Sequence, residues 1–233
     1  MKRAALLLAV IASCDPQVDP AYLGEPLVTL QGQVVSTGPL PAPLEAAMLW
    51  QRGPPPSTDE EDLATRAPVQ AGFPATFTVH LYHPPPEAAR KTLAPGEVTY
   101  ARANAAAIPY GIASAGVSAL PSTQNAAYGI DARHWVVYLA ADVPAHSLME
   151  WWLGVALPKG FHLMRATAVN PGCITPDQLA ACIADLGQRG ITDSTTAQTF
   201  CLEPYKLEVA PAGDQLVLDL GAVGLGPAGG ACL

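Results

Sequence analysis

Short segments of alternating apolar and polar residues dominate the first third of the chain. One segment runs from Leu27 to a turn at Gly38-Pro39, and residues 46–51 form a second after a proline-rich link. A period of two is typical of a β-strand that has one face in the core. The pattern therefore predicts two short strands here.

The clearest alternation precedes the proline run 84–86. Apolar and polar residues fall on opposite faces of the predicted strand: Phe77, Val79 and Leu81 on one face, and Thr78, His80 and Tyr82 on the other. His80 and His83 have an odd separation, which on a strand places them on opposite faces. This spacing disfavours a zinc site at the pair, and we expect exposed histidines beside a turn.

Later parts of the chain predict further short strands. Turn residues separate five of them, at 98–103, 112–118, 135–140, 152–157 and 161–167. Residues 205–209 and 215–220 predict a closing hairpin around Pro211-Ala212-Gly213-Asp214. Strands at this spacing predict a mainly β fold, with an elongated or two-lobed β-sandwich body. We expect a first β portion at 27–95 and a second at 96–233.

Residues 52–68 interrupt this pattern with a proline run and the acidic run Asp59-Glu60-Glu61-Asp62. Such a composition predicts an exposed loop. Four carboxylates in a row could attract calcium, but a calcium loop spaces its ligands at alternating positions with a glycine for the turn. A solvated loop is therefore favoured, and the sequence predicts no metal site.

The N-terminus has the layout of a secretory signal. Lys2 and Arg3 precede the apolar stretch 4–12, which is too short to span a bilayer, and small residues then lead into a cysteine. The motif Ile11-Ala12-Ser13-Cys14 resembles the lipobox of bacterial lipoproteins. The chain is therefore identified as a bacterial lipoprotein by resemblance.

This resemblance implies that the signal peptide, residues 1–13, is removed and that the Cys14 thiol carries a diacylglycerol. With a further acyl chain on the new amine, such an anchor holds a protein on a membrane without a protein partner. Residues 14–26 then form a short tether. Asp15 resembles the inner-membrane retention mark of enteric bacteria, but other bacteria sort differently, so the inner and the outer membrane both stay open.

The four remaining cysteines favour disulfide bonds, because an export signal implies an oxidising compartment. They lie in the last third of the chain, at Cys173, Cys182, Cys201 and Cys232. Three pairings are possible, of which Cys182 with Cys201 and Cys173 with Cys232 is favoured. Zinc binding is the rival interpretation, but the spacing contains no Cys-x-x-Cys motif.

A short helix is predicted at residues 176–187 within this disulfide-stapled part. Thr175 suits the N-cap, Pro176 the first helical position, and Gln178 completes a capping box. The helix should end at Gly187 or Gly190.

The opening strands carry a second resemblance. Residues 30–35, Leu-Gln-Gly-Gln-Val-Val, followed by 39–49, resemble the first hairpin of prealbumin-like β-sandwiches. Together with the segment 73–86, they resemble the first half of envelope lipoproteins from myxobacteria and their relatives. This likeness covers about 90 residues and implies an envelope address without implying an activity.

The net negative charge of the chain disfavours one class of partner, nucleic acids. The chain has 12 Lys and Arg against 20 Asp and Glu, a formal net charge of −8. An acidic body repels phosphate backbones, so we expect no nucleic-acid partner. The membrane, through the lipid anchor, and an envelope protein or a glycan are the partners that the sequence allows.

Motifs for catalysis are missing from the sequence. It holds no Gly-x-Ser-x-Gly elbow, His-Glu-x-x-His pair or phosphate-binding glycine loop, so neither an enzyme nor a cofactor is predicted. We expect a lipid-anchored binding or structural component of the cell envelope. The alternative is a carbohydrate-binding or glycan-acting protein that uses Trp151, Trp152 and Glu150. Trp135 is expected in the core.

Overall fold

The computed structural model describes residues 23–36, 38–40, 43–51, 61–72, 74–109, 129–131, 133–168, 175–201 and 205–220. Strands outnumber helices in these residues, which confirms the mainly β prediction. The strands are β1 (Val28–Val35), β2 (Leu44–Gln51), β3 (Glu61–Pro68), β4 (Ala75–Leu81), β5 (Tyr100–Pro109), β6 (Gly129–Ile130), β7 (His134–Leu139), β8 (Gly160–Ala168), β9 (Tyr205–Val209) and β10 (Leu216–Asp219). The helices are α1 (Leu148–Leu153), α2 (Pro176–Gln188) and α3 (Ser194–Cys201).

All ten strands belong to one mixed sheet. Its main path is β4-β1-β10-β6-β5-β7-β8-β9, while β2 pairs with β5 and β3 pairs with β2. Only the β1–β10 pairing is parallel among these. An isolated bridge between Gln70 and Thr76 then joins the end of β3 to the start of β4, so the sheet curls back on itself. Both predicted portions, 27–95 and 96–233, contribute strands to it, and a β-sandwich stays a prediction.

The inside of the curl is the main core, and alternating residues of the strands fill it. The predicted apolar face of β4 is confirmed, because Phe77, Val79 and Leu81 are each at most 2% exposed. Gly32 on β1 makes room for this packing, since a Cβ there would meet the Phe77 ring and the Leu216 carbonyl oxygen. Glycine, which has no Cβ, is therefore required at position 32.

A second core lies on the other face of β7, β8 and β9, where α1 covers the sheet. Met149, Trp152 and Leu153 of α1 pack against buried sheet residues that include Leu139 and Met164. The predicted strand at 152–157 is wrong, because its first residues close this helix. The apolar residues 148, 149, 152 and 153 have helical spacing.

Local capping explains where α1 begins and ends. The Ser147 side chain accepts a hydrogen bond from the Glu150 backbone N–H, and Gly154 ends the helix at a φ of 74°. The Glu97 carboxylate accepts from the backbone N–H groups of Leu148 and Met149 at 3.0 and 3.2 Å. A distant acidic residue thus completes the cap.

Two other predictions are corrected by strand pairing. Residues 61–68, expected within a loop, form β3 and pair with β2 from Glu45↔Pro68 to Gln51↔Glu61. The two segments of the predicted closing hairpin are strands, but they do not pair with each other. Instead β9 pairs with β8 and β10 pairs with β1. The predicted strand at 112–118 lies outside the described residues.

The helical region matches its prediction closely. Thr175 and Gln178 form the expected capping box at the start of α2. The predicted Cys182–Cys201 disulfide is confirmed, with a Cα–Cα distance of 5.9 Å, and it ties α2 to α3. Cys14, Cys173 and Cys232 lie outside the described residues. No helix within the described ranges is long and apolar enough to cross a membrane.

Candidate functional site

The curled sheet has an opening between β3 and β4. At one end, Gln70 N–H donates to the Thr76 carbonyl oxygen at 2.7 Å, and Thr76 N–H donates to the Gln70 carbonyl oxygen at 3.3 Å. Among the described residues, no other backbone hydrogen bond joins the two strands. We call the space lined by residues of both strands the β3–β4 groove.

Backbone groups of β4 point into the β3–β4 groove. Both backbone groups of Thr76 bond to Gln70, away from β1. Because successive residues of a strand direct their backbone groups to opposite sides, Thr78 and His80 present theirs in the same direction as Thr76. Leu81 is one residue after His80, so its backbone groups point to the other side of β4. Its carbonyl oxygen accepts a hydrogen bond from the Leu27 backbone N–H, which lies on the β1 side. The edge of β4 that faces the groove is thus set by its pairing with β1.

The backbone groups of β3 also alternate between its two neighbours, β2 and β4. Val69 N–H donates to the Leu44 carbonyl oxygen of β2 at 3.0 Å, whereas Gln70 bonds across to β4. Arg66 and Pro68 lie an even number of residues before Gln70, so their backbone groups point to the same side as those of Gln70, towards β4. Pro68 contributes only a carbonyl, because proline has no N–H. The backbone edges of β3 and β4 therefore face each other.

The groove encloses a cavity of about 590 Å³. Trp50 and Leu81 line its inner part, and both are only 2% exposed. The Trp50 ring packs against the Phe161 ring, with ring centroids 6.2 Å apart. Leu23, which is 60% exposed, lies at the mouth. The groove thus combines an apolar floor with two polar strand edges.

Side chains on the outer rim are polar, and the lining described by the structure contains no carboxylate. Arg66 forms an ion pair with Glu45 at 3.5 Å, which holds the guanidinium over β2. The Thr29 hydroxyl and His80 Nδ1 are 2.9 Å apart, which orients the imidazole. Because the Glu45 carboxylate offsets the charge of Arg66, the rim is not a basic patch.

His80 and His83 both line the groove; His83 is exposed and His80 is partly buried. β4 ends at Leu81, and the alternation that separates the faces does not continue to His83. The described residues contain no group of three or more His, Cys, Asp or Glu side chains placed to hold a metal ion.

A second polar cluster surrounds His134, at the start of β7. His134 Nδ1 lies 2.9 Å from Asp131 Oδ2, and Nε2 lies 3.2 Å from Asp214 Oδ2. Asp131 is fully buried and also accepts from the backbone N–H groups of Arg133, His134 and Val217. The cluster thereby joins the turn before β7 to the start of β10.

The charges of this cluster favour a protonated imidazole. Burial by itself lowers the pKa of His134, but hydrogen bonds to Asp131 and Asp214 and their charges outweigh it, and the net pKa is raised. Burial raises the pKa of Asp214, and its bond to His134 more than compensates, so that pKa is lowered. With a carboxylate at each ring nitrogen, His134 has no nitrogen left to act as a base towards a nucleophile. The cluster is therefore structural.

These shifts predict a pH dependence of stability. A raised pKa for His134 stabilises the fold fully below 6.5, and the contribution is lost as the pH rises through the folded value. The lowered pKa of Asp214 contributes above 3.8 and is lost as the pH falls through its folded value. We therefore expect the free energy of unfolding to decrease as the pH rises above 6.5.

Urea titrations at a series of pH values check this expectation. His134→Gln should flatten the decrease, because it removes the titrating group. His83→Gln, at an exposed histidine, should leave the slope unchanged. An equal slope in wild type and His134→Gln would contradict the assignment.

Residues expected to bind a glycan lie on α1 and do not form an aromatic platform. Trp152 is 4% exposed, and its ring centroid is 5.2 Å from that of Tyr100. Trp151 is half-buried against the same core. The Glu150 carboxylate accepts from the His146 backbone N–H. Burial leaves the Trp152 ring no surface to offer a sugar.

Trp135 lies in the core, as expected, beneath the buried Arg102. The Arg102 guanidinium carbon is 4.0 Å from the Trp135 ring centroid, a cation–π contact. Arg102 Nε also donates to Gln51, and Gln51 in turn donates to Asn104. This row of buried polar side chains connects β2 and β5 on the face of the sheet opposite the main core.

Sequence reasoning missed the β3–β4 groove and the His134 cluster. The groove depends on β3, which the sequence analysis assigned to a loop. The spacing Asp131-x-x-His134 was a usable signal for the second cluster, but Asp214 lies 80 residues further along the chain. Comparisons of the chain with protein-family models, curated proteins and solved structures find no significant match.

Proposed function

We propose that the chain is a lipid-anchored binding protein of the cell envelope, with the β3–β4 groove as its binding site. The anchor is a diacylglycerol on Cys14, in the inner or the outer membrane, and the β body is extracytoplasmic. Lys2, Arg3, the apolar stretch 4–12 and the resemblance of residues 11–14 to a lipobox support this address.

The Cys182–Cys201 disulfide is the main structural observation that supports this proposed extracytoplasmic location. Disulfides persist in oxidising compartments and are rare in the reducing cytosol. An exported chain therefore accounts for both the N-terminal pattern and the bonded cysteines, although the two lie at opposite ends of the sequence. The Cys173–Cys232 bond remains part of the proposal.

A binding role is supported by the groove itself. It is a concave site with an apolar floor at Trp50 and Leu81 and polar groups at its rim, the combination typical of ligand sites. The His134 cluster, by contrast, uses both imidazole nitrogens in structural contacts. The glycan alternative has weaker support, because Trp152 is buried and Trp151 is half-buried against the same core.

Intact mass spectrometry of detergent-extracted protein from native membranes tests the address. The wild-type mass should equal that of the chain cut before Cys14 plus acyl groups, and Cys14→Ala should lose the acyl groups. Reduction should add two hydrogens for Cys182–Cys201 and two more if Cys173–Cys232 forms. A wild-type mass that retains residues 1–13 and carries no lipid would refute the proposal.

A further inference from the structure

We infer that the surface around Leu23 and Leu27 rests on the bilayer that holds the lipid anchor, so that the mouth of the β3–β4 groove opens towards the membrane. This inference rests on the proposed function, since it takes the acylated Cys14 as given. It follows from two exposed leucines at the start of the described chain, the short stretch between them and Cys14, and the net charge of the protein.

Four large apolar side chains are exposed among the described residues, and two of them lie close together in the chain. Leu23 is 60% exposed and Leu27 is 53% exposed. The other two, Val155 and Val209, lie in later parts of the chain and are less exposed, at 39% and 46%. Single exposed apolar residues are ordinary, whereas clustered ones mark a surface that a partner or a membrane covers.

Residues that follow β4 extend this exposed surface. The Leu27 N–H donates to the Leu81 carbonyl oxygen at 2.7 Å, which places Leu27 beside the end of β4. Tyr82 and Pro84 come next in the chain, and both line the same cavity as Leu23. Pro84 is exposed and Tyr82 is partly buried. We call Leu23, Leu27, Tyr82 and Pro84 the N-terminal patch, and its aliphatic and amphipathic aromatic side chains suit a membrane interface.

The stretch of chain between the anchor and the N-terminal patch is short. Cys14 and Leu23 are nine residues apart, so even a fully extended chain between them spans no more than about 32 Å. A compact protein of this length is roughly 40 Å across. The opposite end of the body therefore cannot lie on the bilayer while Leu23 points away from it. The anchor also keeps the patch at a high effective concentration near the bilayer, so a weak apolar contact is sufficient.

The net charge indicates which lipids the N-terminal patch contacts. The formal charge of the chain is −8, and a surface of anionic lipid repels such a body. Glu25, which is exposed between the two leucines, adds no attraction to anionic headgroups. The contact is therefore apolar and made with zwitterionic lipid, and we expect it to be insensitive to added salt.

Leu23→Trp tests the contact directly, in acylated protein from native membranes that is reconstituted into phosphatidylcholine vesicles. Bromine atoms on the acyl chains quench tryptophan fluorescence on contact. The fluorescence that this variant adds to that of the wild type should fall by about half or more in brominated vesicles, compared with unbrominated ones, because the side chain enters the headgroup–acyl boundary. Added salt should leave the quenching unchanged.

Val209→Trp is the matched control for the position of the reporter. Val209 is exposed on β9, and β9 and β4 are at opposite ends of the main path of the sheet. The tryptophan at this position should fluoresce equally in brominated and unbrominated vesicles. A second pair of variants tests the apolar contact itself. Leu27→Ser, added to Leu23→Trp, should lower the ratio of docked to undocked protein about tenfold, whereas Val155→Ser should leave the ratio unchanged.

Equal quenching of Leu23→Trp and Val209→Trp would overturn the inference, because no particular surface would then face the bilayer. Absence of quenching in Leu23→Trp, in protein whose mass includes the acyl groups, would also overturn it and would point to a protein as the cover of the N-terminal patch. A mass without acyl groups would instead refute the proposed function, on which the inference depends. Mass spectrometry and fluorescence thus distinguish the two failures.

Discussion

Replacing Asp131 with alanine should lower the free energy of unfolding by about 3 to 5 kcal/mol. The side chain is fully buried and accepts three backbone N–H groups and the His134 ring. Its removal leaves buried donors without acceptors and leaves the imidazole with one carboxylate instead of two. Urea unfolding at pH 6, followed by circular dichroism, measures the change.

Asp142→Ala is the matched control for this experiment. Asp142 is an exposed aspartate that accepts one backbone N–H, from Lys159 at 2.8 Å. Its replacement should lower the free energy of unfolding by less than about 1 kcal/mol. Similar losses in the two variants would show that the buried network around Asp131 contributes no more than an ordinary surface hydrogen bond.

Trp152→Ala should lower the free energy of unfolding by about 3 to 5 kcal/mol, the usual result of truncating a buried aromatic residue. Trp152 is 4% exposed and fixes α1 to the sheet through Tyr100 and the second core. The cavity left behind cannot collapse fully, because the sheet beneath it is held by hydrogen bonds on both sides of β7. Urea unfolding followed by circular dichroism gives the measurement.

Trp151→Ala provides the comparison, since its ring is half-buried and belongs to the same helix. A smaller loss is expected, because less apolar surface returns to water. Equal stability of wild type and Trp152→Ala would contradict the core assignment and would renew the case for a sugar platform on α1. Soluble expression of both variants is checked by gel filtration.

Local sequence patterns were sufficient to predict the strands β1, β4, β7 and β8 and the helix α2. In β4 the alternation of Phe77, Val79 and Leu81 with polar neighbours specifies which face is buried. In α2 the capping box of Thr175 and Gln178 marks the first turn. Such signals depend on residues a few positions apart, so they are visible without any knowledge of the fold.

Composition gave a wrong prediction of secondary structure where a neighbouring strand pairs with a segment of low strand propensity. Residues 61–68 contain acidic residues and a proline, yet they form β3 because β2 pairs with them along its length. The segment 152–157 reads as apolar and aromatic, which fits a strand, but Ser147 and Glu97 cap a helix at 148–153 instead. In both cases a contact outside the segment decides its conformation.

The sequence by itself determined the mainly β composition and the start of α2, because periodicity and capping are local properties. It left three pairings of the last four cysteines open, and the structure shows Cys182 bonded to Cys201. Only the tertiary structure decided that β9 and β10 pair with different strands and that His134 lies between Asp131 and Asp214. It also decided that β3 and β4 are joined by a bridge at Gln70 and Thr76, with no other backbone hydrogen bond between them among the described residues. These features join residues far apart in the chain, and such pairings depend on how the whole sheet curls.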